Sequence, residues 1–360
     1  MRWLVTGGLG FIGSHFIRLV LRERPGVEVV NLDAMTYAGN PANLREVDGD
    51  PRYRFVKGDI CDGAAVRDAI AGGADAILNF AAESHVDRSI LDPERFLRTD
   101  ALGTLVLLEA SRELAVPRYV QVSTDEVYGH VADGESVESD PVRPRSPYAA
   151  SKAAADLLTL AHHATYGVPV VITRGSNTYG PHQYPEKIVP LFVTNLIDDR
   201  PVPVYGDGLQ IRDWLYVEDH ARAILHALEH GETGSIYNIA VGTGCTNLAL
   251  TQLLIERCGR SMETHLTHVA DRPGHDRRYA VNAAKLRGLG WQPRVPFDEG
   301  IAKTIAWYRA NESWWRPLKG AHAASVGAGA RSADSGAAQQ VPEAERSAGR
   351  AAKSRGSQKA

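Results

Sequence analysis

Along the first 180 positions, short apolar runs alternate with stretches in which apolar residues recur every three or four places. RWLVTG, VEVVNLD, YRFVKGDI, AILNFAA and RYVQVST read as five strands, and SHFIRLVLRE, GAAVRDAIA and TLVLLEASREL between them have helical periodicity. A sixth unit joins the helical pattern SPYAASKAAADLLTLAHHATYG to the strand PVVITRGSN. Strand, helix and strand at this spacing imply right-handed crossovers. The expected fold class is therefore α/β, a doubly wound parallel sheet covered by helices on both faces.

Beyond about residue 180 the pattern turns irregular, with frequent Pro and Gly in YGPHQYPEKIVPLF, PVPVYGDGLQIRDW, VGTGCTNLAL and RPGHDRRYAV. This half predicts a smaller mixed α/β substrate-binding lobe. VPVYG or YVEDHARAIL is the segment expected to rejoin the main sheet. The expected boundaries are 1–180 for the sheet domain, 181–318 for the smaller lobe and 319–360 for a tail. From Gly320 onward the chain has no aromatic residue, Leu or Ile, so it cannot bury a core and is expected to be disordered.

Composition narrows the function classes. The chain has 360 residues, 44% hydrophobic and 23% charged, with a formal net charge of -3. That balance gives no electrostatic reason to expect nucleic acid as a partner. Three scattered cysteines, Cys61, Cys245 and Cys258, suit neither a disulfide framework nor a zinc site, so no metal is expected. The opening MRWLVTGG enters a strand directly, without the charged and apolar regions of a secretion signal. No apolar run reaches the roughly 20 residues of a membrane helix. A cytoplasmic protein without a membrane partner is the simplest expectation.

The chemistry begins at TGGLGFIG, where Gly7, Gly10 and Gly13 follow a strand and open a helix. Such glycines allow a tight turn, close approach to a pyrophosphate, and close helix-to-strand packing. Asp33 ends the second strand 20 residues after Gly13. A carboxylate there suits the ribose hydroxyls of NAD and repels a 2′-phosphate. The sheet is thus of Rossmann type and the cofactor NAD, with Asp59 near the adenine and NFAAESH on the ligand edge.

Tyr148 and Lys152 in SPYAASK stand four residues apart and share one helix face. A phenol with pKa near 10 is a poor base at neutral pH. A lysine cation and a charged nicotinamide both favour the phenolate, letting Tyr148 take a proton from a substrate hydroxyl. Ser123 and Thr124, ending the preceding strand, are placed to hydrogen-bond the substrate oxygen.

Together, TGGLGFIG, the Tyr148/Lys152 pair and STDEVYG resemble the extended short-chain dehydrogenase/reductase family and, more narrowly, the dTDP-glucose 4,6-dehydratases. The resemblance runs from Met1 to about Trp315. It implies C4 oxidation of a nucleotide-bound hexose, loss of water across C5 and C6, and return of the hydride to C6. After C4 becomes a ketone, the C5 proton is acidic enough for a carboxylate, and the departing C6 hydroxyl needs a proton. Adjacent acids in a partly dry site separate their pKa values by repulsion, which divides these tasks. The resemblance makes Asp125 the acid, Glu126 the base and Thr124 a donor to O4. A bend after Thr124 is required, because neighbouring side chains on a strand point apart.

The same resemblance implies cofactor contacts from Phe11, Ile12, Ala34, Thr36, Ile60, Phe80, Ala81, Ala82, Ser84, Thr99 and Thr178, beside Gly7, Gly10, Gly13, Asp33, Asp59, Tyr148 and Lys152. For the substrate it implies Ser84, Thr124, Asn177, Lys187, Ile188, Pro203, Tyr205 and Asn247, with Arg212, Arg272 and His275 around the diphosphate. Guanidinium geometry suits phosphate. Gly175 and Thr178 depart from the family's Arg-Cys-Ser-Asn-Asn-Tyr-Gly-Pro segment. The expected substrate is dTDP-glucose, and the family implies a homodimer through helices around Thr104 to Leu114 and Ala150 to Tyr166. The alternatives are a 4,6-dehydratase or 4-epimerase for another nucleotide hexose, and a non-catalytic NAD sensor. The Asp125–Glu126 pair speaks against an epimerase, and a sensor needs no such set of reactive groups.

Overall fold

The computed structural model describes residues 1–319, and the tail from Gly320, for which disorder is expected, lies outside the described residues. Six strands come from the first half: β1 (Arg2–Thr6), β2 (Glu28–Asp33), β3 (Tyr53–Lys57), β4 (Ala76–Asn79), β5 (Tyr119–Thr124) and β6 (Val170–Gly175). With the later strand Ser235–Ile239 they form a seven-stranded sheet in which every pairing is parallel. Its order is Ser235–Ile239, β6, β5, β4, β1, β2, β3. β4, β5 and β6 are buried at every position, as parallel strands covered on both faces must be. Edge strand β3 is mostly exposed or half-buried.

One face packs on Phe11–Glu23 and Val217–His230, through Phe16, Ile17, Ile224 and Leu225. The other packs on Gly63–Ala69 and Gly103–Glu113, through Val66, Leu107 and Leu108. A separate cluster around Tyr179, Phe192, Val204, Trp214 and Tyr308 forms the core of the smaller lobe.

The segment that returns to the main sheet differs from expectation. VPVYG supplies Val202–Tyr205, which pairs in parallel with Leu266–Val269 in a separate ribbon. YVEDHARAIL lies mainly in the helix Val217–His230. Its buried Val217, Ala221, Ile224, Leu225 and Leu228 recur at helical spacing, and Glu218 and Asp219 in the first turn complement the helix dipole. Ser235–Ile239 is the strand that rejoins, beside β6.

Candidate active site

The β1-to-helix turn is built around its glycines. Gly7 has φ +67, and a Cβ there would meet the backbone of Ala81 at 2.6 Å. A Cβ on Gly13 would lie 2.5 Å from the Gly7 carbonyl. Gly10 is the N-cap of Phe11–Glu23, so Phe11 and Ile12 form that helix's first turn. The missing side chains leave a cradle of helix N–H groups that fits a dinucleotide pyrophosphate.

Asp33 closes the adjoining strand, with Oδ2 accepting from Leu9 N (3.0 Å) and Oδ1 from Met35 N (2.7 Å). Those bonds fix its orientation, and burial raises its pKa against their lowering effect. Ala34 and Thr36 follow directly. Asp59 is exposed after β3 and accepts from Cys61 N, whereas the Ile60 side chain packs into the core. Phe80, Ala81 and Ala82 follow β4 at the same sheet edge, and Ala81 N donates to Thr6 Oγ1 (3.3 Å). Thr99 lies on the π-helical turn Leu97–Leu102.

The helix Pro147–Tyr166 is locally well specified. The Ser146 hydroxyl accepts from Ala149 N, Pro147 occupies the first position, and Gly167 ends it in the left-handed conformation. Tyr148 is half-buried and Lys152 is buried, with Nζ donating to Val122 O at 2.7 Å. Burial, then the carboxylates of Glu126 and Asp100, push the Tyr148 phenol well above its ordinary value, against the lowering influence of the Thr124 hydroxyl. The phenol of the chain alone therefore stands higher, in place of the depression expected from a lysine and a nicotinamide together.

The bend that the carboxylate pair requires is present. β5 ends at Thr124, and a 3₁₀ turn runs Asp125–Tyr128, capped by Thr124 Oγ1 accepting from Glu126 N at 3.2 Å. Asp125 is buried, and its Oδ2 has no hydrogen-bond partner among the described residues. Burial and the neighbouring Glu126 raise its pKa well above the carboxylate range, opposed by Arg212. Such a carboxyl holds its proton. Glu126 is half-buried, and the Tyr279 hydroxyl lies 3.4 Å from its Oε2 and 2.9 Å from Asp276 Oδ2, with one proton to place between them. Adjacent acids thus occupy unlike surroundings.

The other residues expected to contact the substrate take the following places. Lys187, the N-cap of Ile188–Ile197, donates from Nζ to the Ser84 carbonyl, and burial lowers its pKa. Ile188 packs against the small-lobe core. Asn177 and Asn247 each keep a buried side-chain oxygen without a partner among the described residues. Pro203 and Tyr205 share the Val202–Tyr205 strand, and the Tyr205 hydroxyl donates to Asp87 Oδ2 (3.0 Å). Arg272 lies 3.7 Å from the other Asp87 oxygen, and His275 pairs with Asp271 at 2.7 Å. Arg212 sits deeper than expected for a diphosphate clamp. It donates to the carbonyls of Ile211 and Asp276, and stacks 4.1 Å from the Tyr279 ring.

The departures from the family segment fit together. A Cβ on Gly175 would lie 2.5 Å from the His220 ring, so the absent side chain leaves the space that the imidazole fills. Thr178 Oγ1 lies 2.7 Å from His220 Nδ1, and burial lowers the His220 pKa to about 4, keeping the ring neutral. Sequence reasoning missed His220, Tyr279, Asp87, Asp100 and Ser151. Ser151 stands inside SPYAASK but off the Tyr148–Lys152 spacing, and the partners that give each of the five its role come from tertiary packing.

A nucleotide cradle at a parallel-sheet edge, a Tyr/Lys pair on one helix face and a split pair of acids define a nucleotide-sugar enzyme of the extended short-chain dehydrogenase/reductase class. Residues 4–304 match the family model described as GDP-mannose 4,6 dehydratase. The dTDP-glucose 4,6-dehydratase of Streptomyces niveus is 52% identical over 324 residues, covering 89% of this chain and 96% of that protein. The crystal structure of DesIV, a dTDP-glucose 4,6-dehydratase from Streptomyces venezuelae with NAD and TDP bound, is 51% identical with a TM-score of 0.86. It covers 88% of this chain and 100% of that one. A UDP-glucose 4-epimerase from Thermus thermophilus in complex with NAD is more distant, at 35% identity and TM-score 0.80, over 86% of this chain and 100% of that one. The chain belongs to the dTDP-glucose 4,6-dehydratase family.

Proposed function

We propose that this protein is an NAD-dependent hydro-lyase that converts dTDP-glucose to dTDP-4-keto-6-deoxyglucose and water. The observation that carries the reading is the unlike pair on the turn after β5: Asp125 buried with an unpartnered oxygen, Glu126 half-buried against Tyr279. An epimerase has no use for that division.

Gly7, Gly10 and Gly13 would hold the pyrophosphate of NAD and Asp33 its ribose hydroxyls, and the bound cofactor would supply the acceptor for the C4 hydride and its donor to C6. Tyr148 removes the proton from the C4 hydroxyl. Thr124 donates to O4 as the carbonyl forms. Lys152, anchored on the Val122 carbonyl, holds a positive charge beside the phenol. The Glu126 carboxylate takes the C5 proton, and Asp125 gives its proton to the leaving C6 hydroxyl. Glu126 then returns its proton to C5, and the proton that Tyr148 took from the C4 hydroxyl passes to solvent as Asp125 regains one, which resets the pair. Arg272, His275, Lys187, Tyr205, Asn177 and Asn247 form the nucleotide-sugar side of the cleft. Arg272 exchanges its ion pair with Asp87 for a phosphate.

The reading extends to the assembly and the setting. A homodimer forms through the face carrying exposed Leu97, Leu102 and Leu157 on the Leu97–Leu102 and Pro147–Tyr166 segments. Among the described residues no helix is long and apolar enough to cross a membrane, and the three cysteines are free, as suits a reducing cytoplasm.

The test is to give the NAD-loaded enzyme dTDP-glucose alone and follow product mass with nicotinamide absorbance. Loss of one water without net reduced cofactor supports the reading. Unchanged mass with a galactose product replaces it with an epimerase.

A further inference from the structure

Asp100 enters none of the steps above. It sits on the π-helical turn Leu97–Leu102, a rare geometry associated with functional positions, and its carboxyl is 1% exposed. Its Oδ1 accepts from Glu83 N at 2.9 Å. Its Oδ2 lies 2.6 Å from Ser151 Oγ, and Ser151 precedes Lys152 on the helix that carries Tyr148.

The same Ser151 oxygen lies 2.8 Å from the Tyr148 carbonyl. A serine hydroxyl has one proton and cannot donate to both. If Asp100 is ionised, Ser151 donates to it. If Asp100 is protonated, the carboxyl donates to Ser151 Oγ, and Ser151 donates to the Tyr148 carbonyl. The two arrangements differ by one proton taken from solvent, and hence by one negative charge beside Lys152 and Tyr148.

We propose that Asp100 is a positioning residue whose carboxyl, through this two-state hydrogen bond with Ser151, sets the charge felt by the Tyr148–Lys152 pair. The groups facing it are Glu83 from the loop after β4, Tyr148 and Lys152 from the Pro147–Tyr166 helix, and the Cys61 thiol, which feels the same carboxylate. Burial pushes Asp100 up to about 6, with Lys152 and Ser151 opposing, so the switch falls on the acid side of neutral pH. Ionised Asp100 opposes the phenolate of Tyr148, and protonated Asp100 releases it.

The inference rests on the base role proposed for Tyr148, and its test separates the two. In NAD-loaded enzyme, Tyr148 is titrated by phenolate absorbance against a Tyr148→Phe reference. The acid limb of kcat/KM for dTDP-glucose is measured alongside. Asp100→Asn keeps an acceptor for Glu83 N, and moves both titrations down by about one pH unit, the influence of a neighbouring carboxylate. Ser151→Ala removes a donor that favours the charged form and keeps Asp100 protonated to higher pH, so it moves the acid limb of kcat/KM in the same direction by less and leaves the phenol, which titrates after Asp100 has ionised, in place. An Asp100→Asn enzyme with wild-type NAD content and melting temperature whose phenol titrates unchanged overturns the proposal. If that variant does not fold, an unmoved acid limb in Ser151→Ala overturns it. A wild-type enzyme that leaves dTDP-glucose unchanged sinks the functional reading, while the absorbance titration still decides the role of Asp100.

Discussion

Replacing Asp125 by Asn should stabilise the protein while disabling it. Asp125 is 3% exposed and has an oxygen without a partner among the described residues, so the fold favours its protonated form and raises its pKa well above the ordinary value. In the unfolded chain the carboxyl ionises with its ordinary value of 3.8, so folding above that pH takes up a proton. The sign follows from linkage. A carboxyl raised in the fold contributes fully below the unfolded value, and that contribution is lost as pH rises towards the folded value. The loss is about 1.4 kcal/mol per pH unit in that window. Asn has nearly the same shape and carries no such proton.

The stability difference between Asp125→Asn and wild type should therefore widen from pH 4 upward and level off above the folded value. For a chain of this size each kcal/mol corresponds to about 1–2 °C in melting temperature. Activity should fall by about 10²- to 10⁴-fold, the usual contribution of a positioned acid. The assay is a series of thermal melts from pH 4.5 to 8 on NAD-loaded enzyme, with dehydration measured by product mass. A variant less stable by the same amount at every pH would refute the reasoning, since Asp125 would then be ionised and paired in the fold.

Glu126→Gln should leave C4 oxidation detectable as nicotinamide absorbance in a single turnover while dehydration falls by about 10²- to 10⁴-fold. Full dehydration by this variant would remove Glu126 as the C5 base. Gly175→Ala places a methyl against the His220 ring and should cost about 1–3 kcal/mol by chemical denaturation. Adding His220→Ala should recover part of that loss, and a purely additive double variant would argue against the steric account. Arg174 and Asp156 form a buried pair at 2.9 Å, so Arg174→Met should cost about 3–5 kcal/mol by leaving a buried carboxylate alone. A loss below 1 kcal/mol would mean that Asp156 takes up a proton in the variant.

Much of this protein is local and therefore readable from the chain. A parallel strand covered on both faces is largely apolar, so the runs WLV of β1, AIL of β4 and VVI of β6 stand out without any neighbour being known. Gly7, Gly10 and Gly13 mark a turn whose geometry excludes a Cβ, and Tyr148 and Lys152 share a face because a helix repeats every 3.6 residues. Asp125 and Glu126 are adjacent, so the bend after Thr124 could be demanded before it was seen.

What tertiary structure alone decided involves residues distant in sequence. Ser235–Ile239 joins the sheet beside β6 because parallel pairing needs a crossover, here the helix Val217–His230, and an amphipathic run such as YVEDHARAIL has to fold before its role is apparent. Asp100 and Ser151 are 51 positions apart, and Gly175 is explained only by an imidazole 45 positions further on. Asp33 was legible as a carboxylate at a strand end, but not the two backbone N–H groups that hold it. Burial decides which of two neighbouring acids keeps its proton, and burial is a property of the packed molecule.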